Sequence, residues 1–211
     1  MTPGFSQRLI CFTSKMTNDL ILSNVAKHIT LEKSEVNYFI SLLVSKKIPR
    51  KTVLLKEGYV CNYLNYVHSG VLRAYHIDKE GKESTIMFAV SDWWVTDMYC
   101  FLNHKPAMVY IEAITDSCIF QITRGNLKKL FFNVPKFERF FRILMQNAYT
   151  REQLRIIENL SLPAEERYEN FLKKYPYMAE ALTQKQIASY LGITPEFLSV
   201  IRKQKKGKRI S

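Results

Sequence analysis

QKQIASYLGITPEFLSVIRK, residues 184–203, is the stretch whose reading decides the fold. Ala188 is small enough to let a second helix cross the first. Four residues on, Gly192 takes a positive φ without steric cost and turns the chain sharply. Ile187, Leu191, Ile193, Leu198 and Ile201 fall at the offsets that face inward from both helices. The second helix carries its own start signals: Thr194 as N-cap, Pro195 at the first helical position and Glu196 in the first turn. The pattern is that of a helix-turn-helix, which leaves one helix free for a DNA groove. An ordinary pair of antiparallel helices is the alternative, and charge weighs against it. From Arg202 to Ser211 the chain carries Arg202, Lys203, Lys205, Lys206, Lys208 and Arg209 with no acid. A helix dipole does not need so many cations, whereas phosphates would use them.

The rest of the composition fits. The 211 residues are 47% hydrophobic, enough for a sizeable core, and the formal net charge is +12. Such a surface suits a polyanion, nucleic acid before membrane. No apolar run has membrane-spanning length and no signal sequence opens the chain. Cys11, Cys61, Cys100 and Cys118 form neither a C-x-x-C pair nor a zinc spacing, so they are expected as reduced thiols in a cytoplasmic protein.

Working back toward the N-terminus, Ser161-Leu162-Pro163-Ala164 marks a break, and a helix over 163–175 follows with Tyr168, Phe171 and Leu172 inward until Pro176 ends it. Residues 124–160 are expected as one long helix with an aromatic stripe. Phe137, Phe140, Phe141, Leu144 and Ala148 are its candidate dimerisation face, with packing into the core as the alternative. Residues 48–123 hold short β-prone runs divided by turn signals: 53–55, 63–68, 71–77, 84–90, 109–113 and 118–122. They predict an antiparallel sandwich or barrel. Residues 17–46 have helical spacing, with Thr30 as N-cap, Glu32 in the first turn and no capping box. Residues 1–15 look loosely specified, and Met16 is a candidate true start. The division is 1–47, 48–123, 124–160 and 161–211.

This order, with EGYVCNYLNYVHSGVLRAY (57–75), IEAITDSCIFQI (111–122) and IASYLGITPEFLSVIRK (187–203), resembles the Crp/Fnr family of bacterial transcription regulators, from about Val53 to Lys203. The resemblance implies an α+β fold: an effector-sensing double-stranded β-roll like a cyclic-nucleotide-binding jelly roll, flanking helices, a long dimerisation helix and a C-terminal helix-turn-helix domain. It also implies a homodimer on palindromic double-stranded DNA, with RNA polymerase as a further partner.

The departures matter as much. Cyclic-nucleotide binders of the family carry a Gly-Glu pair for the ribose and an Arg-Ser pair for the cyclic phosphate. In DWWVTDMYCFLNHKPAMVYIEA (92–113) those places hold Val95-Thr96 and Ala107-Met108. A buried phosphate needs a charge-assisted donor, which alanine lacks. Cyclic AMP is therefore not expected to bind in the standard way, and no cofactor is predicted. Trp93, Trp94 and Tyr99, with Val95, Thr96, Asp97, Ala107 and Met108, are the candidate lining of a pocket for an apolar or planar ligand, core packing being the alternative. With Cys11 alone near the N-terminus, the family's iron–sulfur cluster is not expected. His28, His68, His76 and His104 are the candidates for a haem ligand.

On the DNA side, the candidate contacts are Thr183 and Gln184 at the start of the first helix, then Thr194, Pro195, Glu196, Ser199, Val200, Arg202 and Lys203 from the second, with Lys205 and Lys206 beyond. Glu196 stands where the family often has a base-reading Glu, a residue that accepts from a cytosine amine. Many relatives have Arg at the place of Val200, so the preferred sequence should differ. The basic tail is expected to replace the phosphate contacts of the family's β-hairpin wing. Two other classes compete: a ligand-sensing module without DNA binding, and a cupin-like metalloenzyme, against which stand the isolation of His68 and His76 and the lack of any H-x-H.

Overall fold

The computed structural model of the chain describes residues 17–176, 178 and 180–208, the last three as backbone only. Two compact units divide it: residues up to 74 with 88–146, and 75–87 with 147 onward. The fold is the α+β arrangement expected. The order is α1 (Asp19–Ala26), α2 (Lys33–Ser41), β1 (Val44–Ile48), β2 (Val53–Leu55), β3 (Tyr63–Ser69), β4 (Leu72–Ile77), β5 (Glu83–Ala89), β6 (Trp93–Val95) and α3 (Met98–Asn103). Then come β7 (Tyr110–Ala113), β8 (Ser117–Thr123), α4 (Arg124–Asn133), α5 (Lys136–Ser161), α6 (Ala164–Lys174), α7 (Gln184–Leu191) and α8 (Pro195–Lys208).

The strands form two four-stranded sheets, ordered β1-β8-β3-β6 and β2-β7-β4-β5. In the first, β3 lies antiparallel between β8 and β6, with Tyr66 opposite both Phe120 and Trp94, and Asn65 opposite both Gln121 and Val95. Alternation then gives the sheet two different faces. Tyr66, Phe120 and Trp94 share the face toward the helices. The Trp94 ring lies 5.6 Å from Phe141 and 6.2 Å from Phe140, and Phe137 meets Phe39 at 4.7 Å. Asn65, Val95 and Gln121 share the opposite face, inside the roll.

The helix-side core also holds a closed polar network. The Trp94 indole donates to Asn24 Oδ1 at 3.1 Å. Asn24 Nδ2 and the Tyr66 hydroxyl both donate to Asp92 Oδ1 at 2.8 Å. Burial, and then the hydrogen bond to Asp92, push the Tyr66 phenol well above its ordinary range.

Several expectations change. Residues 124–160 are two helices, because Pro135 has no N–H to give and obstructs the turn before it; Val134 leaves helical geometry at φ −135°. Phe137, Phe140 and Phe141 are buried in the chain's own core, which removes them from a dimer face; Leu144 and Ala148 are half-buried. The N-cap of α2 is Glu32 instead of Thr30, and Glu35 Oε2 accepts its N–H at 2.8 Å to make a capping box. β1 and β6 are strands in segments without a clear strand pattern. Cys61 and Cys100 are free and buried, but Cys118 is disulfide-bonded, so reduced thiols throughout do not hold.

Gly70 sits at φ +93°, and a Cβ there would come within 2.7 Å of both Asp116 O and Ser117 Cα, backbone atoms that cannot swing aside. Gly70→Ala should cost more than about 2 kcal/mol in a denaturant melt. His68 supplies a pH test. Its Nδ1 is buried without a partner among the described residues, and burial holds its pKa below the usual imidazole value against a smaller opposite pull from Asp19. The unfolded chain therefore binds the proton more readily, and stability present above about pH 6.5 is lost as the pH falls. The melting temperature should drop between pH 7 and 5, and less steeply in His68→Gln.

Candidate nucleic-acid interface and cassette

The second unit holds the reader. Thr183 opens α7 with a full capping box: its Oγ1 accepts from Gln186 N–H at 3.2 Å, and Gln186 Oε1 accepts from Thr183 N–H at 2.9 Å. Gly192 ends the helix at φ +68°, and the Ile193 N–H returns to Ala188 O at 3.1 Å. Thr194 Oγ1 then caps α8 by accepting from Phe197 N–H at 3.2 Å. Ile187, Ala188, Leu191, Leu198 and Ile201 are buried as their spacing requires. Tyr190 closes the core behind them, 5.4 Å from Phe171.

What remains outward on α8 is Thr194, Glu196, Val200 and Lys203, all exposed, flanked by half-exposed Pro195 and Ser199. Thr183 is exposed at the start of α7, while Gln184 is half-buried and donates to Pro195 O at 2.6 Å, tying the two helices together. Arg202 and Lys205 depart from the sequence reading. Arg202 Nε donates to the Tyr168 hydroxyl at 2.9 Å, and Lys205 Nζ pairs with Glu169 at 2.9 Å, so α6 holds both. The side chain of Lys206 lies outside the described residues, as does the tail beyond 208. Phe197 was missed: it is 44% exposed beside Val200 at 47%, an apolar pair on the outward face. Its position directly after Glu196 was the available signal.

The β4–β5 hairpin, residues 75–87, belongs to this same unit. Ser189 on α7 accepts from Thr85 N–H at 2.8 Å and donates to Glu83 O at 2.9 Å. Arg155 of α5 donates to the carbonyls of Thr85 and Tyr190, and its guanidinium stacks 4.3 Å from the Tyr190 ring.

In the first unit, the cassette is folded around Asp97. Its carboxylate caps α3, with Oδ1 accepting from Cys100 N–H at 3.0 Å, and Oδ2 accepts from Met108 N–H at 2.7 Å. Val95 and Ala107 are buried beside it, and Ala107 is fixed by backbone hydrogen bonds with Gly58 and Tyr59. Thr96 Oγ1 donates to Tyr63 O at 2.9 Å. Trp93 is half-buried, and Tyr99 and Met108 are exposed; Trp94 points to the helix-side core and is separated from the other candidates. Among the described residues, no three or more His, Cys, Asp or Glu side chains cluster as a metal site, and no helix is long and apolar enough to cross a membrane.

Residues 45–133 match the model of the cyclic nucleotide-binding domain. The similarity to curated relatives extends well beyond that domain. An anaerobic regulatory protein of Pasteurella multocida is 27% identical over 204 residues, covering 90% of this chain and 74% of its own. The regulatory protein HlyX of Actinobacillus pleuropneumoniae is 24% identical, covering 88% and 82%. The chain resembles regulators of the Crp/Fnr family along most of its length. A solved regulator of that family from Eubacterium rectale shares the fold at a TM-score of 0.69 and 19% identity, over 84% of this chain and 85% of that one. FixK2 of Bradyrhizobium japonicum does so at 0.69 and 17%, over 80% and 86%.

Proposed function

We propose that this protein is a cytoplasmic, homodimeric regulator of the Crp/Fnr type that binds palindromic double-stranded DNA through α8. The exposed face Thr194–Glu196–Val200–Lys203, on a helix whose other side buries Leu198 and Ile201, carries the proposal. Glu196 is the candidate base reader and Lys203 the phosphate contact, while Phe197 and Val200 offer apolar surface of the kind that meets a thymine methyl. The dimer rests on the second half of α5, where Leu154, Ile157 and Leu160 recur at helical spacing and are 56%, 52% and 82% exposed.

The roll is assigned a sensing role that excludes cyclic AMP in the family's standard mode. Met108 N–H stands where the family's phosphate pair falls, and Asp97 already occupies it. A cyclic phosphate brought there would meet a carboxylate of like charge, with Ala107 offering no guanidinium to offset it.

Selection of bound duplexes from a random pool by the full chain should return a palindrome with half-sites roughly 34 Å apart. Glu196→Ala should then lose about 1–3 kcal/mol on that sequence alone, whereas Lys203→Ala should weaken all sequences and flatten the salt dependence. Failure to enrich any sequence at low ionic strength would refute the regulator. Calorimetry with cyclic AMP should show no binding at micromolar concentration; saturable heat there would refute the reading of Asp97.

A further inference from the structure

Inside the roll, two amides form a relay whose direction is fixed by a backbone carbonyl. Asn65 is 4% and Gln121 6% exposed. Asn65 Nδ2 donates to Val95 O at 3.1 Å. A carbonyl can only accept, so Asn65 must turn its own oxygen to Gln121, whose Nε2 donates to it at 2.7 Å. Gln121 is thereby left with an acceptor at its far end. That atom, Oε1, is buried and has no partner among the described residues. A buried acceptor without a donor is costly, about 1–3 kcal/mol, and native interiors seldom tolerate one without a use.

Gln121 and Asn65 stand in the wall of a pocket of about 240 Å³, with Leu55 and Ile111 as apolar lining and Tyr59 and Tyr63 among its aromatic residues. Among the described residues, the one charged group in the wall is Lys56, and it is exposed. The cavity is smaller than those that take drug-sized molecules. An anion or cation at depth would find no buried counter-charge. The geometry points to a binding site for a small, uncharged, planar molecule that donates one N–H or O–H to Gln121 Oε1, a site separate from the Asp97-filled cassette. Its role as an effector site rests on the regulator reading; the site itself does not.

The test uses the full chain and three probes followed by saturation-transfer NMR: indole, 1-methylindole, which lacks the donor, and indole-3-carboxylate, which carries a charge. Indole should bind saturably, and each of the others at least about tenfold more weakly, the loss expected for one unmade buried hydrogen bond or an unpaired charge. In Gln121→Met the difference between indole and 1-methylindole should vanish. Leu54→Trp, which narrows the same pocket without touching the relay, should abolish indole binding and stands in if the first variant does not fold. Equal binding of indole and 1-methylindole, no saturable indole binding, or discrimination that survives in Gln121→Met would overturn the proposal. Duplex binding is measured on the same preparation. Intact duplex binding without indole binding removes the pocket alone; indole discrimination without duplex binding keeps the pocket and removes the regulator.

Discussion

Tyr66 stands opposite Phe120, and Asn65 opposite Gln121, because β3 lies on β8 in one register from Tyr63 to Val67, before the pairing shifts toward Ser69. A strand has period two, so a slip of one residue would exchange its faces. The rings would enter the roll, and the amides would meet Phe140 and Phe141. The network of Asn24, Asp92, Tyr66 and Trp94 ties the helix-side face to α1 and to the turn before β6. Gly70 ends β3 so closely against Ser117 that the start of β8 is held as well. The cassette and the buried amide relay both inherit their positions from this pairing.

The sequence is most legible where local rules and tertiary packing agree. In the reader, Ala188, Gly192 and four of the five apolar offsets do what their chemistry prescribes, Ile193 being only half-buried, and six of the strands fall within a residue or so of their turn signals. It is least legible where a strand lacks local support. β1 reads VSKKI, exposed except at Ile48, and exists because β8 offers it a backbone ladder. β6 is three residues long, WWV, and resembles a cassette as much as a strand. Pro135 is the local signal for the break between α4 and α5, and it is masked because aromatic residues continue on both sides of it, from Phe131 and Phe132 to Phe137. Phe137, Phe140 and Phe141 show the general difficulty. A stripe of rings declares that it will be covered, but not by which surface.

Side-chain commitments were hidden for a similar reason. Arg202 and Lys205 belong by composition to the basic run, and only the packing of α6 beside α8 sets them against Tyr168 and Glu169. Asp97 reads in the sequence as a candidate pocket residue, and its cap on α3 is not visible there because a helix N-cap is an ordinary use of aspartate. Its second bond, to Met108 N–H eleven residues away, depends on how the loop returns. The amide relay is likewise a fact of cross-strand register, which no spacing within one strand reveals.

The hairpin grouped with the reader has one more implication, for dissection of the molecule. A fragment cut at Ser161 would keep every helix of the reader yet lose the strand carbonyls that Ser189 engages and the arginine laid over Tyr190. Its α7 would face water where it now meets Glu83 and Thr85. The compact unit is therefore not contiguous in the chain. Tethering 75–87 to 147–208 would be the minimal way to isolate it, and a simple truncation would measure a different object.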